Sequence, residues 1–172
     1  GDGGDELFGG YTFRYKIFLS LTSKTSTPLE KVSAYLQCHE RDRVTDQEKI
    51  FNKKCGFSWN SIYNILLPFF DNNLPRLEQV YLADYNGKLL YNFNPINSRL
   101  TDYFEMKQLT PLLNNELLNT SPHIASKYKY DVDHEIGKLP LRTILAKNNA
   151  ESLITKEKLG FSVNTINLWK SY

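Results

Sequence analysis

Three acids and five glycines crowd the first eleven residues, Gly1-Asp2-Gly3-Gly4-Asp5-Glu6-Leu7-Phe8-Gly9-Gly10-Tyr11. Glycine lets a backbone turn sharply and approach a ligand closely. Asp2 and Asp5 are three apart, and Asp5-Glu6 stand where a helix could begin. The N–H groups and dipole of a helix start attract anions. Carboxylates beside an anion site call for a cation between them. Mg²⁺ takes one or two carboxylates plus substrate phosphates, so the local chemistry points to a nucleotide with a metal. Composition alone favours a simpler account, an acidic glycine turn that caps a helix.

The full string, with Arg14-Tyr15 after it, resembles the acidic signature of the asparagine synthetase family. That signature belongs to the synthetase domain of glutamine-dependent asparagine synthetases, β-lactam synthetases and related amide-forming enzymes. The resemblance implies a cleft where ATP and a carboxylic acid meet. It implies Asp5 as a Mg²⁺ ligand and Asp2 beside the reacting acyl-adenylate. Glu6 would support the same site, with Gly1 and Gly3 supplying backbone next to substrate. The other end of the chain carries Lys138 and Arg142, then Lys158 before Gly160-Phe161, then Trp169. This pattern resembles the family's closing segment, in which two lysines approach the phosphates of ATP and the released pyrophosphate. Lysine is a compact, mobile cation that can follow charge onto a departing phosphate. Lys156 and Asn164 depart from the arginine and proline common there. Against this stands the ordinary case of solvated surface lysine.

A weaker trace lies between. The family commonly shows Asp-Arg-x-Ser-Met-Ala, then Glu-x-Arg, then Pro-Phe-Leu-Asp. Here the order is Ser98-Arg99-Leu100-Thr101-Asp102-Tyr103, Glu105-Met106-Lys107 and Pro111-Leu112-Leu113-Asn114. Arg99 and Glu105 fit a helix-surface ion pair as well as they fit the acceptor side of a cleft. Asp131-Val132-Asp133-His134-Glu135 has metal-binding residue types without the spacing of a known site. It reads better as a polar loop leading to Lys138. No serine–histidine–aspartate arrangement can be argued.

Composition excludes several classes. At 172 residues the chain can bury a real core. A formal net charge of +2 without a basic block argues against nucleic acid. No apolar run approaches membrane-spanning length and no signal peptide is visible. Cys38 and Cys55 lack metal-type spacing and read as reduced thiols of a cytoplasmic protein. Eleven tyrosines and ten phenylalanines predict an aromatic interior.

The elements that must position these residues read as helices. One is expected from residue 5 to about 21, weakened at Gly9-Gly10. Thr27, Pro28 and Glu30 form a capping box with proline in the first turn. Thr45 and Glu48 form a second box, and Ser58 caps a helix carrying Ile62, Ile65, Leu66 and Phe69. Further helical patterns cover 76–93 with an interruption at Gly87, about 96–106, a run from Pro111, 138–147 and 162–170. The last but one would place Lys138 and Arg142 on one face. No strand pattern and no repeat appears. The chain is therefore expected to be mostly α. The resemblance makes it the helical C-terminal part of an α/β, PP-loop ATP pyrophosphatase-like domain, adenine-nucleotide-hydrolase-like in fold, whose parallel sheet lies in other sequence.

The chain starts inside the acidic motif and lacks the family's Ser-Gly-Gly-x-Asp-Ser pyrophosphate loop and N-terminal glutaminase domain. Residues 1–172 are thus expected to be the C-terminal portion of a synthetase domain, inactive alone. The resemblance implies adenylation of aspartate by ATP with Mg²⁺, then displacement of AMP by glutamine-derived ammonia to give asparagine. Two alternatives stand beside it. One is the same chemistry on another acid, as in β-lactam or peptide-cyclising relatives. The other is a non-catalytic helical interaction module.

Overall fold

The computed structural model describes residues 2–40, 51 and 53–154. The chain divides into two compact units, Gly1–Pro140 and Leu141–Tyr172. The described residues are mainly helical, and the only β pairing among them is an isolated bridge between Asp131 and Ile136.

The acidic loop opens as helix α1, Gly4–Phe8. The single helix expected from residue 5 to 21 is divided. Gly9 takes φ 76, the left-handed conformation that ends helices. Its N–H and that of Gly10 both donate to the Asp5 carbonyl, at 3.1 and 2.9 Å. Tyr11 turns the chain, and helix α2 runs Thr12–Leu21 with Tyr15 and Phe18 buried. The break turns the Tyr11 ring inward, where its hydroxyl reaches back to Glu6.

Helix α3, Pro28–Cys38, starts at the expected capping box. The Glu30 N–H donates to Thr27 Oγ1 at 3.3 Å, and the Thr27 N–H donates to Glu30 Oε2 at 2.7 Å. Helix α4, Trp59–Phe70, starts after Ser58, whose side chain makes no cap hydrogen bond. It ends in a polar turn held from both sides. Asn72 Nδ2 donates to the Phe69 carbonyl at 2.9 Å, and the buried Gln79 amide donates to the carbonyls of Phe70 and Asn72 at 3.1 and 3.0 Å.

Helix α5 covers Arg76–Ala83. The interruption expected at Gly87 is absent; the chain continues as a π-helix, Asp84–Phe93, into helix α6, Asn94–Tyr103. A π register widens the helix and is often found at functional sites. Here it keeps Asp84 and Leu89 on the buried side. Helix α7 covers Asn115–Thr120, capped by Asn114, and helix α8 covers Leu139–Lys147. The capping box at Thr45–Glu48 and the 162–170 pattern lie outside the described residues.

The core of the first unit is aromatic, as the composition predicts. Tyr15 packs edge-on against Tyr81 and Tyr130, at 5.2 and 5.3 Å between ring centroids. Phe70 meets Phe18 and Tyr35 at 5.9 and 5.4 Å. Val32, Leu36, Leu77 and Val80 fill the space between α3, α4 and α5. This block is the base on which α1 and the loop before α8 rest.

Candidate functional site

Asp5 and Lys138 meet across 133 positions of sequence. Lys138 Nζ lies 2.9 Å from Asp5 Oδ1. The backbone explains the contact. The Lys138 N–H donates to the Phe8 carbonyl at 3.0 Å, and the Leu139 N–H donates to the Lys129 carbonyl at 3.1 Å. Between these anchors the chain folds back on itself. Asp131 and Ile136 exchange backbone hydrogen bonds of 2.8 and 3.1 Å. Asp131 also accepts the N–H groups of Asp133 and His134 and the His134 ring. Its carboxyl is thereby held below its usual range, first by the His134 backbone. The acidic run 131–135 is therefore a self-bonded turn that delivers Lys138, as the polar-loop reading expects.

Lys138 itself corrects one expectation. It has φ 57 and precedes α8, so it does not share a helical face with Arg142. Arg142 belongs to the second unit. The left-handed backbone at Lys138 is what turns the chain from the 129–138 loop into α8, with the side chain on Asp5.

Close approach needs glycine here. A Cβ on Gly10 would lie 1.8 Å from Asp5 Oδ1 and 2.5 Å from Lys138 Cε. Gly4 lines the same ammonium, with its missing Cβ 3.7 Å from Lys138 Nζ. Gly3, at φ 86, instead turns its bare side toward Leu113.

Asp2 and Glu6 point elsewhere. Asp2 Oδ2 accepts a 2.6 Å hydrogen bond from Asn97 Nδ2 of α6. Glu6 is buried and accepts the Tyr11 hydroxyl. Burial and the Glu6 charge push the Tyr11 hydroxyl far above its ordinary range, so it stays a proton donor. Two cations share the Tyr11 ring: Lys88 Nζ is 3.5 Å and Arg14 Cζ 4.4 Å from its centroid. Burial, then the nearby Arg14 charge, pull Lys88 down to about 8. Glu6, Asp5 and Asp84 act on it in the opposite sense. Asp84, fully buried, accepts the Tyr35 hydroxyl at 2.8 Å and sits 3.1 Å from His39 Nε2. His39, at the end of α3, is thus enclosed.

The structure brings together Asp5, Lys138 and the glycines around them, and puts Asp2 and Glu6 on neighbouring partners. Arg99 lies in α6 and Glu105 just beyond it at φ 54, and no ion pair joins them among the described residues. Gly1 and Lys158 lie outside the described residues. Tyr11 and Arg14 sit inside the quoted motif, three apart on a helix start, and their pairing could have been read from that spacing. Lys88 and Asn97 carry no such local signal.

Asp5 fits a Mg²⁺ held mainly by substrate phosphates. It is partly exposed, faces a cation already, and occupies space that only a glycine at position 10 leaves open. Among the described residues no group of three or more His, Cys, Asp or Glu could hold a metal by itself. The site therefore suits an ion that keeps phosphate and water ligands rather than an all-protein cage. No described helix is long and apolar enough to cross a membrane.

The profile of the asparagine synthase family matches residues 1–171. Comparisons with curated proteins and with solved structures gave no significant match. The chain belongs to the asparagine synthase family.

Proposed function

We propose that this member of the asparagine synthase family is part of an ATP-dependent amide-forming ligase that activates aspartate and transfers ammonia to it. Residues 1–172 are the helical C-terminal portion of its synthetase domain, and the parallel sheet of an α/β nucleotide-binding fold is supplied by other sequence. The observation that carries the proposal is the Asp5–Lys138 contact at 2.9 Å, made where the 129–138 loop folds against the acidic glycine motif.

The chemistry follows from that contact. Asp5 would hold the metal that accompanies ATP, which would supply charge neutralisation for the phosphates. Lys138 is a mobile ammonium already beside that position and able to move onto phosphate oxygens as charge develops there. Lys158 adds a second cation by its place before Gly160-Phe161. Asp2, oriented by Asn97, faces the acid. Glu6 acts through Tyr11, fixing its ring and hydroxyl. Together these residues position two anions and offset their repulsion, the roles that dominate such transfers. A second reading keeps adenylation on a different acid; the departures along Ser98–Asn114 from the family's usual segment favour it.

Pyrophosphate exchange into ATP by the full-length protein tests the proposal, with aspartate and a panel of other acids. Exchange that needs aspartate, and is lost in a folded Asp5→Asn variant, is expected. Wild-type exchange in that variant would remove Asp5 from the mechanism. Exchange with other acids but not with aspartate would select the second reading, and exchange with no acid would remove the ligase.

A further inference from the structure

We propose that Arg14 and Lys88 form a carboxylate-binding subsite on the Tyr11 ring that receives a carboxylate of the acid substrate; the inference rests on the ligase reading above. Both side chains are half-buried, and both lie within cation–π reach of one ring. Neither is ion-paired with a carboxylate among the described residues. Arg14 Nε and Nη1 are buried and make no hydrogen bond.

That arrangement is costly as it stands. Like charges repel, and buried charged groups are normally paired or hydrogen-bonded. Glu6, Asp5 and Asp84 offset it only in part, favouring the charged form of Lys88 while burial and Arg14 oppose it. Glu6 takes the Tyr11 hydroxyl, and Asp84 Oδ1 takes Tyr35 and His39. An incoming anion would satisfy the guanidinium fork and the ammonium together. A planar fork beside an ammonium matches the two oxygens of a carboxylate. Glu6 and Asp84 both act on Lys88, and their charge favours a singly charged anion over phosphate. The place is also right: Glu6, which holds Tyr11, is the chain neighbour of Asp5. The Asp5–Lys138 contact and the Tyr11 ring with its two cations are thus both tied to the short helix α1.

The subsite is tested by direct titration calorimetry on the full-length protein. Succinate, L-aspartate, acetate and inorganic phosphate are the probes, with ATP titrated separately. Lys88→Met and Arg14→Gln are expected to weaken succinate and aspartate by about tenfold or more, the equivalent of about 1.4 kcal/mol. ATP affinity should stay within about twofold and Lys88→Arg should recover part of the loss. Thermal melts of each variant exclude unfolding as the cause, and Arg14→Lys replaces Arg14→Gln if the latter fails to fold. Carboxylate binding that is equal in wild type and variants overturns the subsite. So does wild type that binds phosphate but none of the carboxylates. So does wild type that binds no probe. Pyrophosphate exchange separates this from the ligase reading. Carboxylate binding lost in the variants of a protein that adenylates no acid keeps the subsite and removes the ligase. Unchanged binding in variants of an active ligase does the reverse.

Discussion

Gly10→Ala should disable the site while leaving the fold standing. The new Cβ would sit 1.8 Å from Asp5 Oδ1 and must gain about 1.6 Å to reach the 3.4 Å where ordinary contact begins. The atoms it meets are side-chain ends, the Asp5 carboxylate and Lys138 Cε. They can move aside without moving backbone. The pair they break is partly exposed, with side-chain exposures of 40% and 26%, so its loss costs at most about 1 kcal/mol. Alanine also stiffens the unfolded chain, offsetting roughly 0.4–1 kcal/mol. Net stability should barely change. Catalysis is less forgiving, because about 1 Å of misplacement can cost on the order of a hundredfold. That is about 2.7 kcal/mol of transition-state stabilisation. Gly137→Ala is the contrasting case. Its Cβ would lie 2.1 Å from the Gly9 carbonyl oxygen. Backbone faces backbone there, so the 129–138 loop must lift, straining the Lys138–Phe8 hydrogen bond. A loss of about 1–3 kcal/mol follows. Thermal melts and pyrophosphate exchange on the full-length protein give both numbers for both variants. Normal exchange in Gly10→Ala would refute the reliance of the chemistry on the Asp5–Lys138 geometry. A melting loss in Gly10→Ala as large as in Gly137→Ala would refute the distinction between yielding tips and unyielding backbone.

Two further outcomes concern stability alone. Thr27→Ala removes one half of the capping box that starts α3 and should cost about 1 kcal/mol in urea denaturation, with an unchanged slope. Lys129, buried against Tyr81, and Lys88 are both pulled down to about 8 by burial. The folded state then binds fewer protons than the unfolded state between that value and the ordinary 10.5. Stability contributed by these groups therefore rises with pH from about 8 toward 10. Tyr11, Tyr15, Tyr35 and Tyr81, pushed up by burial, oppose this above about pH 10, where the unfolded phenols lose protons first. Denaturation midpoints across that range should climb in wild type and climb less in Lys129→Met; an identical climb in the variant would refute the assignment.

Local signals were legible at two places where one short stretch contained both partners of an interaction. The Thr27–Glu30 capping box is such a case, since its donors and acceptors are three residues apart. The polar turn at 131–135 is another, because Asp131 bonds within its own loop. The aromatic core followed from the count of tyrosines and phenylalanines, although which rings meet did not. The expectation failed at Gly9. Glycine permits a helix interior at a cost and permits a left-handed end as readily, and a propensity scale does not choose between them. Burial of Tyr11 beside Glu6 chose the end. Gly87 failed in the opposite direction: the widened π-helix absorbs it, and the buried Asp84, bonded to Tyr35 and His39, lies in that same segment.

The residue types at the candidate site, and their order along the chain, are properties of the sequence by itself. Gly1 to Tyr11 specify an acidic glycine loop, and their string carries the family. Which charge meets which is a property of the tertiary fold. Lys138 reaches Asp5 only because the 129–138 loop hydrogen-bonds to Phe8 and packs a glycine against Gly9. Lys88 reaches Tyr11 only because a π-helix lies beside α1. These contacts join residues far apart in sequence, and the closure of so long a segment is decided by the summed packing of the aromatic core, not by any pair within it.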